Sequence, residues 1–286
     1  MLPTKRSLAI KRFLNHEELF RCPLCTESIR VNAEGSFFCA RGHSFDIAQK
    51  GYINLLGQSA SGFYDPALFR SRQRILQAGF YHSLVELLLE LIISVGPSCR
   101  ILDAGCGEGF FMDQIAGDQR VAEHSELFAL DIVKEAIQIA TRYPAPVCWC
   151  VANLTQMPFK DGTMDVLLNI LSPAHYGEFS RVLKPTGMFI KVLPGNDYLR
   201  EIRELAATQL HNREYDNEDV LKHCYEHIRV LKHLKIKEQH SLQPEQAEDF
   251  LRMTPMTAGI NHSALEWEGL NQITIDLEVI AGCSFT

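Results

Sequence analysis

Beyond residue 100, short apolar runs alternate with amphipathic segments. Ile101–Ala104, Leu127–Leu130, Val147–Val151, Val166–Ile170 and Met188–Val192 are four or five residues long and largely apolar, without the polar alternation of a solvent-facing strand. Such runs predict strands covered on both faces. Between them, Phe111–Ile115, Lys134–Tyr143, Ala174–Leu183 and Tyr198–His211 space their apolar residues as helices do. Strand and helix in alternation predict an α/β fold, a parallel sheet with helices on both faces. Two further strands are expected at Ile228–Ile236 and Ile273–Ile280, with a helix over Pro244–Met253 between them.

The front of the chain has a different texture. Residues 20–52 contain Cys, Gly and Phe but too few apolar residues for a core of their own, and a segment that small needs a metal or disulfides. Residues 53–98 join a loop containing Gly57, Ser59, Ser61, Gly62 and Pro66 to a helical stretch from Ala67 through Ser94. The run Leu84–Val95 is interrupted by Glu86 and Glu90 and is too short to span a bilayer, so it predicts a packed amphipathic helix. The expected division is residues 1–52, a connector over 53–98, and a large domain over 99–286.

Composition narrows the setting. The 286 residues are 46% hydrophobic and 22% charged, which suits a globular chain with a sizeable core. Residues 1–20 are basic but lack an apolar stretch with a cleavage site, so no signal peptide is expected. Nine cysteines are too few for a disulfide scaffold at this length and fit a reducing, cytoplasmic compartment. The net charge of −7 argues against a polyanion partner, but it is unevenly spread. Residues 1–80 hold 11 Lys/Arg against 6 Asp/Glu, and the remainder 17 against 29, giving +5 and −12. A basic front on an acidic body is compatible with a nucleic-acid contact surface or with a solvated tail.

The stretch CPLCTESIRVNAEGSFFCARGH carries Cys22, Cys25, Cys39 and His43 in the spacing Cys-x2-Cys-x13-Cys-x3-His. Two close pairs from two turns can close a tetrahedron around one ion, and three thiolates with one imidazole suit Zn²⁺. Four protein ligands leave no position for water, so the expected metal is structural. The other cysteines, Cys99, Cys106, Cys148, Cys150, Cys224 and Cys283, show no ligand spacing and read as small apolar residues.

A second signal is RILDAGCGEGFF. A buried strand ends at Asp103, and Gly105, Gly107 and Gly109 lead into a helix. Glycines permit tight turning and close backbone approach to a ligand, although dinucleotide-binding proteins share such turns. LFALDI puts Asp131 at the end of the next strand, where an acid grips ribose hydroxyls. VANLTQMPF puts Asn153 and Leu154 after the third strand, beside an expected adenine pocket, and RVLKPTGMFIKV adds a helix, a turn and a strand.

These elements together resemble the class I S-adenosylmethionine-dependent methyltransferases over about residues 100–195. The resemblance implies a Rossmann-like, mostly parallel seven-stranded sheet. With CPLC…CARGH, HSFDIAQKGYINLL, QAGFYHSL, LSPAHYGEFSRVL, KVLPGNDYLREI and LRMTPM, essentially the whole chain resembles the RlmA family of 23S ribosomal RNA guanine-N1 methyltransferases. LSPAHYGEF and NREYDNEDV look closer to its type II, Gram-positive-like branch, associated with tylosin response; the type I branch modifies a neighbouring guanine.

The family resemblance implies that Cys22, Cys25, Cys39 and His43 hold zinc and that Tyr81, Gly107 and Glu108 contact S-adenosylmethionine. Tyr198 follows PGND where some relatives have His. Asn169-Ile-Leu-Ser-Pro stands where many amino-methyltransferases carry an Asn or Asp, two prolines and an aromatic; Asn169 or Ser172 could orient the acceptor base, with Ser172 and Pro173 lining the transfer site. The implied substrate is an unpaired guanine in a 23S rRNA hairpin, because N1 is hidden in a duplex. Phe63, Tyr64, Arg70, Arg72 and Arg74 either cover that base and its phosphates or pack on the large domain. His175, Tyr176 and Phe179 read as core or rim. No membrane partner is expected, and a homodimer would let two zinc modules grip one RNA. The competing functions are a small-molecule methyltransferase, which needs no zinc module, and a non-catalytic ribosome-assembly factor, which needs no intact glycine turn.

Overall fold

The basic front end is a docked helix. In a computed structural model, which describes residues 3–56, 66–207, 216–257, 265 and 267–284, Lys5–Leu14 form α1, opened by Thr4 accepting the Ser7 N–H at 3.1 Å. Ala9 and Phe13 are buried on one face, while Lys5 Nζ reaches the Thr141 carbonyl and Arg6 Nε the Ile47 carbonyl. Much of the front's positive charge is therefore spent on internal acceptors. Three short antiparallel strands follow, β1 (Ile29–Val31), β2 (Ser36–Cys39) and β3 (Ser44–Asp46). Phe13, Phe20 and Phe37 meet edge to face between them, with centroids 5.2 to 5.7 Å apart.

This small module shares its core with the rest of the protein. Phe20 lies 5.0 Å from Phe159 and 6.2 Å from Phe128. Its backbone neighbours bond the same partner segment, Arg21 N to Pro158 O at 3.0 Å and Lys160 N to Leu19 O at 2.8 Å. Then β4 (Tyr52–Asn54) leaves the ribbon and pairs in parallel with Trp149–Val151. The large sheet accordingly has eight strands, the expected seven plus β4 at one edge.

The expected single helical stretch over 67–94 is two helices, α2 (Pro66–Gln77) and α3 (His82–Val95), bent by 79°. Gly79, at φ +90°, makes the corner in a conformation that residues with a Cβ rarely adopt. α3 buries Leu84, Leu88 and Ile92 on the sheet. Among the described residues no single helix is long and apolar enough to cross a membrane.

Beyond α3 the order is β5 (Arg100–Ala104), α4 (Phe110–Gly117), α5 (Gln119–Ala122), β6 (Glu126–Asp131), α6 (Lys134–Ala140), β7 (Val147–Val151), β8 (Met164–Ile170), α7 (Tyr176–Val182), β9 (Leu183–Pro194), α8 (Arg200–Leu205), α9 (Glu218–His227), β10 (Ile228–Ser241), α10 (Pro244–Met253) and β11 (Gln272–Ser284). The predicted strand centres all lie inside these strands. The helix α9 carried no sequence expectation, and the far end of the expected helix over 198–211 lies outside the described residues.

Sheet order is β10-β11-β9-β8-β5-β6-β7-β4, parallel from β9 to β4, with β11 antiparallel to both neighbours. Alternate strand residues serve opposite faces, as the pleat requires. Ile101, Leu127, Val147 and Val166 join the core under α3 and α4, while Leu102, Phe128, Cys148 and Leu167 join the core under the zinc module and α7. β5 is flanked by β6 on one side and β8 on the other, so the winding reverses there and leaves a crevice at the strands' carboxyl ends.

Candidate active site and metal centre

Cys22, Cys25, Cys39 and His43 converge, with their ligand atoms all within 4.8 Å of one another. Each pair sits on a tight turn. Thr26 N bonds Cys22 O and takes φ +65°, and Gly42 N bonds Cys39 O at φ +83°. Cys22 Sγ to His43 Nδ1 is 3.5 Å, Cys39 Sγ to His43 Nδ1 3.4 Å and Cys25 Sγ to Cys39 Sγ 3.6 Å. A tetrahedron with zinc bond lengths has edges of about 3.5 to 3.8 Å, so this donor set fits zinc in size as well as in chemistry. Burial pushes the Cys22 thiol up to about 11, whereas the N–H groups of His43 and Arg41 outweigh burial at Cys39 and bring that thiol down to about 6, so the thiols of the set share their protons unevenly.

The glycine turn lies at the crevice. Gly105 and Cys106 donate their N–H groups to Leu130 O at 2.9 and 3.0 Å, tying the turn to β6. Gly105 has φ +93°, and a Cβ there would overlap Ser172 Oγ. Gly109, at φ +80°, lies so close to Trp149 that a Cβ would be 2.6 Å from the indole. Asp131 accepts Gly107 N–H at 2.9 Å through Oδ2 and Val133 N–H at 2.8 Å through Oδ1. The acid at the end of β6 thus orders the turn and also lines the cavity.

That cavity has a volume of about 770 Å³ and is lined by every residue expected to contact the cofactor: Tyr81, Asp103, Gly105, Gly107, Glu108 and Asp131, then Asn153, Leu154 and Tyr198. Two buried acids stand out. Asp103 Oδ1 and both Glu108 carboxylate oxygens have no hydrogen-bond partner, at 1% and 2% exposure. Burial, with Asp131 and Glu108 nearby, pushes the Asp103 carboxyl up to about 8. Burial also raises Glu108, against the pull of Arg72, whose Nη1 is 3.6 Å away. Buried carboxylates without hydrogen-bond partners, beside a glycine turn, suit a ligand with an ammonium and hydroxyls. S-adenosylmethionine brings both, together with a sulfonium.

Across the cavity, Tyr81 and Tyr198 share a 2.6 Å hydroxyl–hydroxyl bond, and burial raises both phenols. Asn153 Oδ1 accepts Thr155 N–H at 2.9 Å and opens the short turn Leu154–Gln156. Ser172 and Pro173 line the cavity, whereas Asn169 stands behind them at 0% exposure. Asn169 Nδ2 donates to Ala104 O at 2.6 Å and Pro173 O at 3.1 Å, and its Oδ1 accepts Lys191 Nζ. Both Nδ2 hydrogens and one lone pair of Oδ1 are thus engaged within the protein, and Asn169 does not itself line the cavity.

Arg72 also lines the cavity, beside Glu108, instead of facing outward for phosphates. Arg74 clasps Asp249 of α10, with Nε to Oδ2 at 2.6 Å, and Arg70 is exposed on α2. Phe63 and Tyr64 lie outside the described residues. Tyr176 and Phe179 belong to the core under α7, and His175 caps that helix by accepting Glu178 N–H. Phe69 of α2, Met253 at the end of α10 and Met256 in the turn beyond it also line the cavity, and no spacing in the sequence marks them as site residues. Only the LRMTPM stretch had hinted at the last two.

Comparison with known proteins matches both parts of the chain to known families. A family described as "RlmA, N-terminal", a zinc ribbon, matches residues 20–58, and a methyltransferase domain matches residues 96–252. YxjB of Bacillus subtilis, provisionally named a 23S rRNA (guanine-N(1)-)-methyltransferase, is 32% identical over 272 residues, covering 92% of this chain and 96% of its own. The 23S rRNA (guanine(748)-N(1))-methyltransferase of Streptomyces fradiae is 30% identical over 188 residues, covering 64% of this chain and 65% of its own.

Proposed function

The chain belongs to the RlmA family of zinc-ribbon 23S rRNA guanine-N1 methyltransferases, and from that premise we propose that it methylates N1 of a guanine in a hairpin loop of 23S rRNA domain II. The observation that carries the reading is the pair of buried acids without hydrogen-bond partners, Asp103 and Glu108, set at a glycine turn inside a cavity of about 770 Å³. When bound, S-adenosylmethionine would supply an electrophilic methyl group for in-line transfer to N1, the sulfur leaving as the thioether of S-adenosylhomocysteine and the N1 proton passing to water.

The chain's own part is to bind, orient and exclude water. Glu108 and Asp103 receive the methionine ammonium, with the backbone of Gly105 and Gly107 close against it. Asp131 holds the ribose hydroxyls through the lone pairs its two amide bonds leave free, and Asn153 and Leu154 flank the adenine. Tyr81 and Tyr198 close the cofactor's side of the cavity. Ser172 and Pro173 form the wall against which the guanine lies, with Asn169 fixing that wall from behind.

The ribbon over residues 1–52, joined to the domain over 99–286 by the connector, is the RNA-recognition module. The protein acts in the cytoplasm, where its rRNA is, and works as a homodimer with two ribbons on one RNA; light scattering with and without RNA tests that state. The central test is primer extension on 23S rRNA from a strain lacking the modification, after incubation with S-adenosylmethionine. N1-methylguanine halts reverse transcription, so a new stop in the domain II hairpin is expected. An absent stop together with methylation of a small molecule would sink the reading.

A further inference from the structure

Lys191 lies in the middle of β9, opposite Asn169 of β8 in the sheet register, and is 2% exposed. A lysine there is expensive, because an ammonium taken out of water needs strong partners. Among the described residues it forms no ion pair with a carboxylate. It donates instead to two neutral oxygens, Asn169 Oδ1 and, at 2.5 Å, Ser172 O. The groups packed around it are Asn169 on β8, Ile280 on β11 and Cys224 on α9, with Tyr176 of α7 against that thiol. A methionine would fill similar space without the charge, so packing alone does not account for it.

The partners show what the ammonium joins. Asn169 bonds Ala104 O, the residue immediately before the glycine turn, and Pro173 O in the acceptor wall. Leu171 of that wall is held at φ +48°, a strained conformation for a branched side chain, with its N–H on Val192 O at 3.1 Å. Ser172 Oγ fills the space that a side chain at Gly105 would need. One cation and one amide therefore tie together the end of β5, the wall over residues 171–173 and β9.

We infer that Lys191 is a positioning residue, which through Asn169 and Ser172 sets the distance between the acceptor wall and the glycine turn that carries the methyl donor. This rests on the reading under Proposed function, in which the guanine lies on that wall. In-line transfer is sensitive to such placement, and a misplacement of about 1 Å costs on the order of 100-fold in rate. Burial lowers the Lys191 ammonium to about 8, with Cys224 opposing, so the clasp is charged at neutral pH and loosens as the ammonium loses its proton.

The test compares wild type, Lys191→Met and Lys191→Arg in single-turnover methylation of the hairpin RNA, with S-adenosylmethionine affinity measured separately by calorimetry. Lys191→Met should lose roughly 10- to 100-fold in the transfer rate while its cofactor Kd stays within about threefold. Lys191→Arg should recover most of the rate and remove the fall in activity that wild type shows above about pH 8, since arginine keeps its proton. If Lys191→Met does not fold, Lys191→Gln, a neutral donor, serves the same comparison. Transfer by the uncharged variant at the wild-type rate, or equal losses in cofactor binding and transfer, overturns the inference. Wild type that binds cofactor but leaves the RNA unmethylated defeats the functional reading itself, and this inference with it.

Discussion

Asp103 holds a buried proton in the wall of the cavity. Its carboxyl lies far above the usual range because burial, then Asp131 and Glu108, penalise the charge. In the unfolded chain the same group ionises near pH 4, so between about pH 4 and pH 8 the folded state holds the extra proton. Stability of the ligand-free protein therefore falls as pH rises through that window, by on the order of 5 kcal/mol for this one group. A cationic ligand reverses the penalty. The melting-temperature gain on adding S-adenosylmethionine should be larger at pH 8 than at pH 6, and Asp103→Asn should flatten that difference. An unchanged pH dependence in the variant would remove Asp103 from the account. Gly105→Ala is the steric counterpart: a side chain there meets Ser172 Oγ and needs a backbone region that alanine avoids. We expect a loss of about 2 kcal/mol or more in denaturant unfolding, because the added atom meets a strained backbone as well as a neighbour. These residues were legible in the sequence because a glycine turn after a strand is a local pattern. Asn169 was legible only as a position, since its three hydrogen-bond partners come from β5, β9 and the loop after β8, which no spacing reveals.

Elements differ in how far local pattern carries. The parallel strands were readable because each is buried on both faces and so nearly continuous in apolar residues. α1 was not, because most of its residues are polar or exposed and only Ala9 and Phe13 are fully buried. The zinc ribbon depends on its metal, as structural zinc binding contributes about 10 to 16 kcal/mol of apparent free energy. Cys25→Ser should leave the purified protein without stoichiometric zinc. Because Phe20 packs on Phe128 and Phe159, the variant should also lower the melting temperature of the large sheet. Metal analysis and calorimetry check both points, and an unshifted main transition would mean that the ribbon unfolds by itself.

At the scale of the molecule, the cavity exists because separate parts close over the reversal point beside β5. The floor is the glycine turn, one wall is the loop after β8, and the roof is α2 with the end of α10. Arg74 and Asp249 join the two roof helices across 175 residues of chain. Arg74 is largely exposed, so a double-mutant cycle of Arg74→Ala and Asp249→Ala should give a coupling of only about 1 kcal/mol. The same variants should weaken cofactor binding a few-fold, read by calorimetry, because the roof carries Phe69 and Met253. Full cofactor affinity in both single variants would show that the roof stands without the clasp.

The sequence by itself determined the α/β class, the Cys/His set that fits zinc, and the glycine turn after β5. Each depends on a short-range pattern: apolar run length, two Cys/His turns, and glycines between a strand and a helix. Tertiary structure decided the rest. It made the basic front a packed helix, added β4 as an eighth strand, turned Arg72 inward to Glu108 and set Lys191 behind the loop over residues 171–173. Those outcomes depend on which distant surfaces must be covered and which buried polar groups need partners, and both are set only when the whole chain has closed.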